Sequence, residues 1–324
     1  MNSKIIFRAD ASPMLGYGHF IRSLALADML KDHFDCTFVT QEPTETQRKQ
    51  VAPICNLVEM PSDTSKFDKF IGMLHGDETV VLDNYYFTTD YQKQVKAKGC
   101  KLVCIDDMHD KHYVSDVLIN HLLTKRSIFS VESYTQLCLG IEWALLRKPF
   151  LEQPKHNAIS NKSALTVCTV FGGADFFNLT DKAVDILRAM PKVAKIKAVV
   201  GFDKQTPEDD DAKVEYYHNL SAEGMAHLFQ DCDLAVLPTS GVCLEAIACG
   251  LPVIGGFFVD NQKDACVQFV KDNTIVGIGN LQKNLTQKYL SAAVDMVIKK
   301  KVTKFDRSVF SAIPEAYIKL FGEL

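Results

Sequence analysis

The chain has 324 residues, 47% apolar and 23% charged, the balance of an ordinary globular protein with room for two domains. A net charge of -4 argues against nucleic acid as a partner, since phosphate binding calls for a basic excess. No apolar run approaches the ~18 residues of a membrane span, the N-terminus turns polar too early for a secretory leader, and ten scattered cysteines in apolar surroundings fit a reducing cytoplasm.

Residues 4–9 (KIIFRA) read as a buried strand, and 20–30 (FIRSLALADML) as a helix apolar around most of its circumference. Strands at 36–39, 79–82 and 101–106 follow, with helical stretches near 64–74 and 90–98. Continuously apolar strands are buried on both faces, as in a parallel sheet covered by helices. The alternation predicts an open, doubly wound α/β domain over residues 1–150. RKPFLEQPKHNAISNKS (147–163) has two prolines and little periodicity, and reads as an interdomain linker. Strands at 164–171, 196–200, 234–237 and 252–255 then alternate with helices at 179–190, 222–230 and 242–248. They predict a second Rossmann-like domain over 163–305. Helical text at 285–300 and 310–321 closes the chain, and segment 306–324 is expected to pack back on the first domain. Two such halves predict one cleft, with ligands outside the carboxyl ends of the strands.

The first strand ends in Arg8-Ala9-Asp10, and ASPMLGYGH leads directly into a helix. Gly16 and Gly18 permit a tight turn and close approach of an anionic ligand, which the unpaired first amides of the helix favour. His19 falls in the first turn, with Arg22 one turn on. The positive end of the helix dipole disfavours imidazolium, and a neutral ring is what a general base needs. A structural turn with His19 as a cap-region side chain accounts for the same residues, so both readings stay open here.

In the second half, Phe171-Gly172-Gly173 ends a strand before a helix that Asn178 or Thr180 is placed to cap. Glycines there let the chain pass close to a pyrophosphate, though a plain turn fits as well. Ser240 is the expected N-cap of the next helix, Gly241 opens it, and Glu245 lies in its second turn. Such a helix start suits phosphate, and a solvent-facing glutamate is the alternative for Glu245. Cys100, Cys104, His109 and His112 superficially resemble a zinc set, but C-x3-C-x4-H-x2-H fits no standard finger, so no metal is predicted. No cofactor is called for. The acidic run at 208–211 reads as a solvated loop, and Asp106-Asp107 is expected near the cleft without an assigned role.

FRADASPMLGYGHFIRSLALA resembles the N-terminal signature of the UDP-2,4-diacetamido-2,4,6-trideoxy-β-L-altropyranose hydrolases of pseudaminic acid biosynthesis. That family is related to SpsG-like polysaccharide proteins and to MurG-type glycosyltransferases. Further matches run in order along the chain: Asp83-Asn84-Tyr85, Asp106-Asp107, 118–120, GIEWALLR, FGGADFFNLT, SGVCLEA and Asp260-Asn261-Gln262. The resemblance implies a glycosyltransferase B architecture, two Rossmann-like domains with a cleft, used for hydrolysis of a UDP-sugar. It casts His19 as the residue that activates water against the sugar–UDP bond, and places Gly16, Gly18, Arg22, Tyr85 and Asn261 in the substrate site. Gly172, Gly173, Ser240, Gly241 and Glu245 are implied to hold the nucleotide, Glu245 at the ribose hydroxyls. Transfer of the sugar to a hydroxyl acceptor is the alternative that this fold offers. The sequence departs from the family pattern where Asn84, not a histidine, precedes Tyr85, and where HLLTKRSIF (121–129) replaces an NVNAY-like continuation.

Overall fold

The computed structural model describes residues 3–12, 15–152, 164–172, 175, 177–200, 211–299 and 308–324. The chain forms two compact units, Met1–Lys148 together with Val309–Leu324, and Pro149–Ser308.

In the first unit, β1 (Lys4–Ala9), α1 (Gly18–Leu30), β2 (Asp35–Gln41), α2 (Glu45–Val51), β3 (Asn56–Met60), α3 (Ser65–Gly72) and β4 (Glu78–Asp83) alternate in order. They continue with α4 (Thr89–Ala97), β5 (Lys101–Ile105), β6 (His112–Tyr113), β7 (Val117–Asn120), β8 (Ser130–Val131) and β9 (Gln136–Leu139), and the one-turn α5 (Lys148–Leu151) spans the boundary in sequence to the second unit. Among the described residues, seven strands form a parallel sheet in the order β3-β2-β1-β4-β5-β7-β9, while β6 and β8 pair separately. All six residues of β4 are buried, Glu78 and Asp83 included, and Val80, Val81 and Leu82 supply its apolar run. The order reverses between β1 and β4, where Ala9 pairs with Asp83. Helices leave these two strands in opposite directions, and the crevice beyond their carboxyl ends is where such sheets take ligands.

The second unit contains β10 (Leu165–Val170), α6 (Leu179–Arg188), β11 (Val193–Val199), β12 (Val214–Tyr217), α7 (Ala222–Gln230), β13 (Leu234–Pro238) and α8 (Gly241–Ala248). After them come β14 (Val253–Phe257), α9 (Lys263–Lys271), β15 (Val276–Asn280), α10 (Leu281–Asn284) and α11 (Gln287–Ile298). Its six described strands are also parallel, in the order β12-β11-β10-β13-β14-β15, with the reversal between β10 and β13. Leu165, Val167, Ile196, Val236 and Ile254 lie in its core with Val184 and Leu187 of α6 and Leu290 and Val294 of α11. The fold is α/β, with two Rossmann-like domains.

The last helical stretch is two pieces, α12 (Ser308–Ser311) and α13 (Ile313–Gly322), with a proline in the first turn of the second. Proline is tolerated at a helix start and breaks the ladder of anything preceding it. α13 packs on α1 of the first unit, with Phe321 6.4 Å from Phe34 between ring centroids and the Tyr317 hydroxyl donating to the Trp143 carbonyl at 2.7 Å. Among the described residues, no helix is long and apolar enough to cross a membrane.

Candidate active site

The loop from β1 to α1 turns on Gly16, whose φ of +77° belongs to the left-handed region that disfavours side chains. Its amide donates to the Ser12 carbonyl at 2.8 Å, and the Leu15 amide donates to the Ser12 hydroxyl at 3.1 Å. Gly18 is the first residue of α1, and a Cβ there would meet no atom within 4 Å. The turn delivers His19 in the first turn of the helix, 4% exposed.

What fixes the His19 ring is a contact that local sequence does not disclose. Asp83, the fully buried last residue of β4, sits 2.7 Å from His19 Nδ1. Its carboxylate also accepts from Arg22 Nε at 2.7 Å and Nη2 at 2.5 Å, and from the Ser23 hydroxyl at 2.9 Å. Burial pushes the Asp83 carboxyl up, but the charge of Arg22 and the hydrogen bonds from Arg22 and His19 outweigh it and hold the group far below the usual carboxylate range. The opposite holds for Arg22: burial disfavours its charge, while Asp83 and then Asp107 more than restore it. Arg22 Nη1 donates to Asp107 at 2.9 Å.

A carboxylate held ionised has no hydrogen to give, so Nδ1 of His19 carries the proton of that 2.7 Å bond. Arg22 Nη2, 3.0 Å from the same nitrogen, is therefore a second donor sharing Asp83 Oδ1 with it, not a donor to the ring. The helix dipole is the influence that sequence leads one to expect on this histidine; a direct partner at the end of the neighbouring strand sets the tautomer instead. The lone pair is left on Nε2, which has no hydrogen-bond partner among the described residues and is not among the fully enclosed unpaired atoms.

Tyr85 lies edge-on to His19, with ring centroids 4.5 Å apart, and is 41% exposed. Its hydroxyl donates to Asp107 at 3.4 Å, and burial followed by the Asp107 charge raises its pKa. His19, Arg22, Asn84, Tyr85, Asp107 and Lys111 all line one pocket of the first unit. Asp106-Asp107, expected near the cleft without an assigned role, divides in its contacts. Asp107 joins the His19 group, whereas Asp106 accepts from the Met108 and His109 amides at 2.9 Å and from the Tyr113 hydroxyl at 2.5 Å, holding its own loop. Asn84 stands where the family pattern has a histidine, and it ties two strand ends together: its Oδ1 accepts from the Asp10 amide at 2.7 Å.

A second ionic group lies beside the first, beyond the end of β1. Asp10 is fully buried, bonded by Arg8 through both terminal guanidinium nitrogens, by Lys66 at 3.1 Å, by the Tyr86 hydroxyl and by the Gln41 amide at 2.8 Å. Burial again opposes the charge of Asp10, and Arg8 prevails, so its carboxyl titrates below the ordinary value.

In the second unit, Gly172 follows β10 with φ of +89° and open space around it. Gly173 lies outside the described residues. The helix after it is not capped as expected: Asn178 holds the cap position in a left-handed conformation with no side-chain capping bond, and Thr180 lies inside the helix. Asp175 does the capping, accepting from the Leu179 amide at 2.8 Å and the Thr180 amide at 3.1 Å, because a carboxylate satisfies two orphan donors at once. Ser240 occupies the N-cap position of α8, but its side chain makes no capping bond, and Gly241 opens the helix in free space, where an added Cβ would meet no atom within 4 Å. Glu245 is 7% exposed, so the solvent-facing alternative for it is wrong. Asn261 is half-buried in the 3-10 turn Asp260–Gln262. The sequence-predicted residues thus fall into two sets. His19, Arg22, Tyr85 and the two loop glycines gather at the β1/β4 reversal of the first unit. Gly172, Ser240, Gly241 and Glu245 flank the β10/β13 reversal of the second, and Asn261 follows β14.

Three of the four residues of the zinc-like spacing have other engagements. Cys104 is buried within β5, Cys100 is 3.6 Å from Glu78, and His112 lies 2.9 Å from the Ser130 hydroxyl and 3.2 Å from Glu132. Among the described residues, no group of three or more His, Cys, Asp or Glu side chains is arranged to hold a metal ion.

No protein-family model matches the chain. It is 24% identical over 285 residues to the UDP-2,4-diacetamido-2,4,6-trideoxy-beta-L-altropyranose hydrolase of Campylobacter jejuni, covering 83% of this chain and 96% of that one. An uncharacterized protein of Methanocaldococcus jannaschii is 25% identical over 287 residues, 83% of this chain; the chain spans 58% of that relative's length. Among solved structures, MurG of Acinetobacter baumannii superimposes with a TM-score of 0.62 at 12% identity over the whole of both chains. UGT71G1 of Medicago truncatula, complexed with UDP-glucose, gives 0.66 at 12% identity over 99% of this chain and 98% of its own. HepE of Anabaena, in complex with UDP, gives 0.62 at 13% over 99% and 98%. The chain therefore has the glycosyltransferase B fold and, within it, a family-level resemblance to the UDP-diacetamido-trideoxy-altropyranose hydrolases.

Proposed function

We propose that this protein hydrolyses a UDP-linked 6-deoxy diacetamido sugar to the free sugar and UDP. The observation that carries the reading is the 2.7 Å bond between His19 Nδ1 and the ionised Asp83, which leaves the Nε2 lone pair for water. In the proposed step the water oxygen bonds to the anomeric carbon while the carbon–oxygen bond to the diphosphate breaks. The bonding pair leaves with UDP, and Nε2 takes the proton from water. Asp83 then lies against the imidazolium as it forms, the orienting role a carboxylate plays behind a catalytic histidine. Tyr85 packs against the ring edge and limits its rotation. The sugar is assigned to the His19 pocket with Gly16, Gly18 and Arg22, and Asn261 to the substrate as well. Gly172, Gly173, Ser240, Gly241 and Glu245 are assigned to UDP, where left-handed glycine and open helix amides suit a pyrophosphate.

The test is release of UDP and free sugar in plain buffer with no acceptor present. His19→Ala is expected to lower kcat by about 10²–10⁴-fold while UDP affinity stays the same. A His19→Ala variant with full turnover refutes the base assignment; wild-type protein that consumes the sugar nucleotide only when a hydroxyl acceptor is added refutes hydrolysis in favour of transfer.

A further inference from the structure

His121 follows the last residue of β7 and is 4% exposed. β5 and β7 pair in parallel with Ile105 opposite Ile119, and beyond their ends His121 feels the charges of Arg22, Asp107 and Asp83. Its Nδ1 accepts the backbone N–H of Leu145 at 3.1 Å. A ring nitrogen that accepts has no hydrogen of its own, so the proton of the neutral ring is on Nε2. Burial, with Arg22 adding to it, lowers the pKa of this group to about 3, and the ring is neutral at ordinary pH. Nε2 has no hydrogen-bond partner among the described residues, yet it is not one of the fully enclosed unpaired atoms. Its N–H therefore reaches accessible space. None of the motifs behind the family resemblance includes it; it opens the HLLTKRSIF stretch in which this chain departs from the family pattern.

We propose that His121 is a specificity-determining residue that donates its Nε2–H to an uncharged oxygen on the sugar, of the N-acyl carbonyl class. The charges nearby choose between acceptors. Asp83, Asp106 and Asp107 set three carboxylates against the two cations Arg22 and Lys111, which disfavours a phosphate oxygen and leaves a neutral carbonyl or hydroxyl as the matching partner. An N-acyl carbonyl is the stronger acceptor of the two and extends furthest from a sugar ring. This inference rests on the nucleotide-sugar reading above.

Two substitutions separate donor from scaffold. His121→Asn keeps an acceptor at the δ position for the Leu145 amide but has no donor that reaches as far as Nε2. His121→Gln places an amide N–H near the Nε2 position. The probes are UDP-2,4-diacetamido-2,4,6-trideoxy-β-L-altropyranose and UDP, with binding read by calorimetry and turnover by UDP release. His121→Asn is expected to weaken sugar-nucleotide binding and raise KM by about 10-fold or more, with Tm and UDP affinity retained. His121→Gln is expected to recover most of that loss. Unchanged sugar-nucleotide affinity in the Asn variant overturns the inference, and so does an equal loss in both variants accompanied by a lowered Tm, which marks a packing role. Wild-type protein that binds the probe without hydrolysing it refutes the hydrolase reading alone, since the binding comparison still decides His121. Wild-type protein that binds neither probe overturns both.

Discussion

Two buried ionic groups end the adjacent strands β1 and β4, and they are built differently. Around Asp10, two cations, Arg8 and Lys66, surround one carboxylate, flanked by aromatic faces: the Arg8 guanidinium lies 5.9 Å from the Phe70 centroid and 5.8 Å from that of Phe87. The unpaired atom there, Arg8 Nε, is fully enclosed. Around Asp83, one cation stands between two carboxylates, and the unpaired atom, His19 Nε2, opens onto accessible space. A buried charge network is weak evidence of function by itself. The difference between these two shows what makes it stronger: a titratable side chain whose spare lone pair can reach a ligand. By that standard the Asp10 group is assigned to the scaffold and the Asp83 group to the proposed chemistry.

Paired substitutions test the contrast most severely. Asp10→Asn leaves two buried cations without a counter-charge, and is expected to cost about 3–5 kcal/mol of stability in urea unfolding while turnover per folded molecule stays within a few-fold. Asp83→Asn is expected to cost a similar amount and to remove turnover as well, because the His19 tautomer loses its determinant. Should the folded fraction of Asp10→Asn prove as inactive as Asp83→Asn, the division between scaffold and machinery fails.

Acid sharpens the same comparison. His121 titrates near 6.5 when unfolded but near 3 when folded, so the unfolded chain binds its proton first and stability falls as pH drops from about 6.5 toward 3. Asp10 and Asp83 have depressed folded values, so the stability they confer is complete above the unfolded carboxylate pKa near 4 and is lost only below it. Unfolding free energies from urea titrations at pH 7.5, 5.5 and 4.5 are expected to decline by up to about 1.4 kcal/mol per pH unit from this histidine, and His121→Asn to flatten that limb without altering the steeper loss below pH 4. A flat wild-type curve down to pH 4.5 contradicts the assignment of His121 as a buried neutral ring.

The smallest effect is expected at Lys66. The Asp10 group holds one cation in excess, so Lys66→Met leaves the Arg8–Asp10 pair balanced and fills the same space; about 1 kcal/mol or less is expected, of either sign. A loss above about 3 kcal/mol means that Lys66, not Arg8, is the counter-ion that matters.

Much of this arrangement is legible in the amino-acid text. The strand at 4–9 and the helix at 222–230 have the expected bounds, and His19 falls in the first turn of its helix as its spacing from Gly16 and Gly18 implies. Periodicity reports burial, and these elements are buried on defined faces. It says less about β3, β12 and β15, which local pattern does not reveal: β3 and β12 are half-buried edge strands, and β15 carries two glycines in five residues. The role of Asp83 is out of reach for another reason. Its partner His19 is 64 residues away, and the contact depends on strand order, which no local pattern encodes. Asp175 escapes notice as a cap because Asn178 and Thr180 are closer to the helix start, whereas the chain reaches back from a left-handed turn.

The contact between α13 and α1 bears on how the protein is made. The helix that carries His19 is finished early in synthesis, but the surface that covers it is encoded in the last residues of the chain, after the 160 residues numbered 149–308. At roughly 5–20 residues per second, the ribosome takes roughly 8–30 s to cross that interval. Throughout it, Phe34 and Trp143 wait without Phe321 and Tyr317. Folding of the first unit is thus completed only after the second has been made, and loss of residues 313–322 would strike the helix that bears His19.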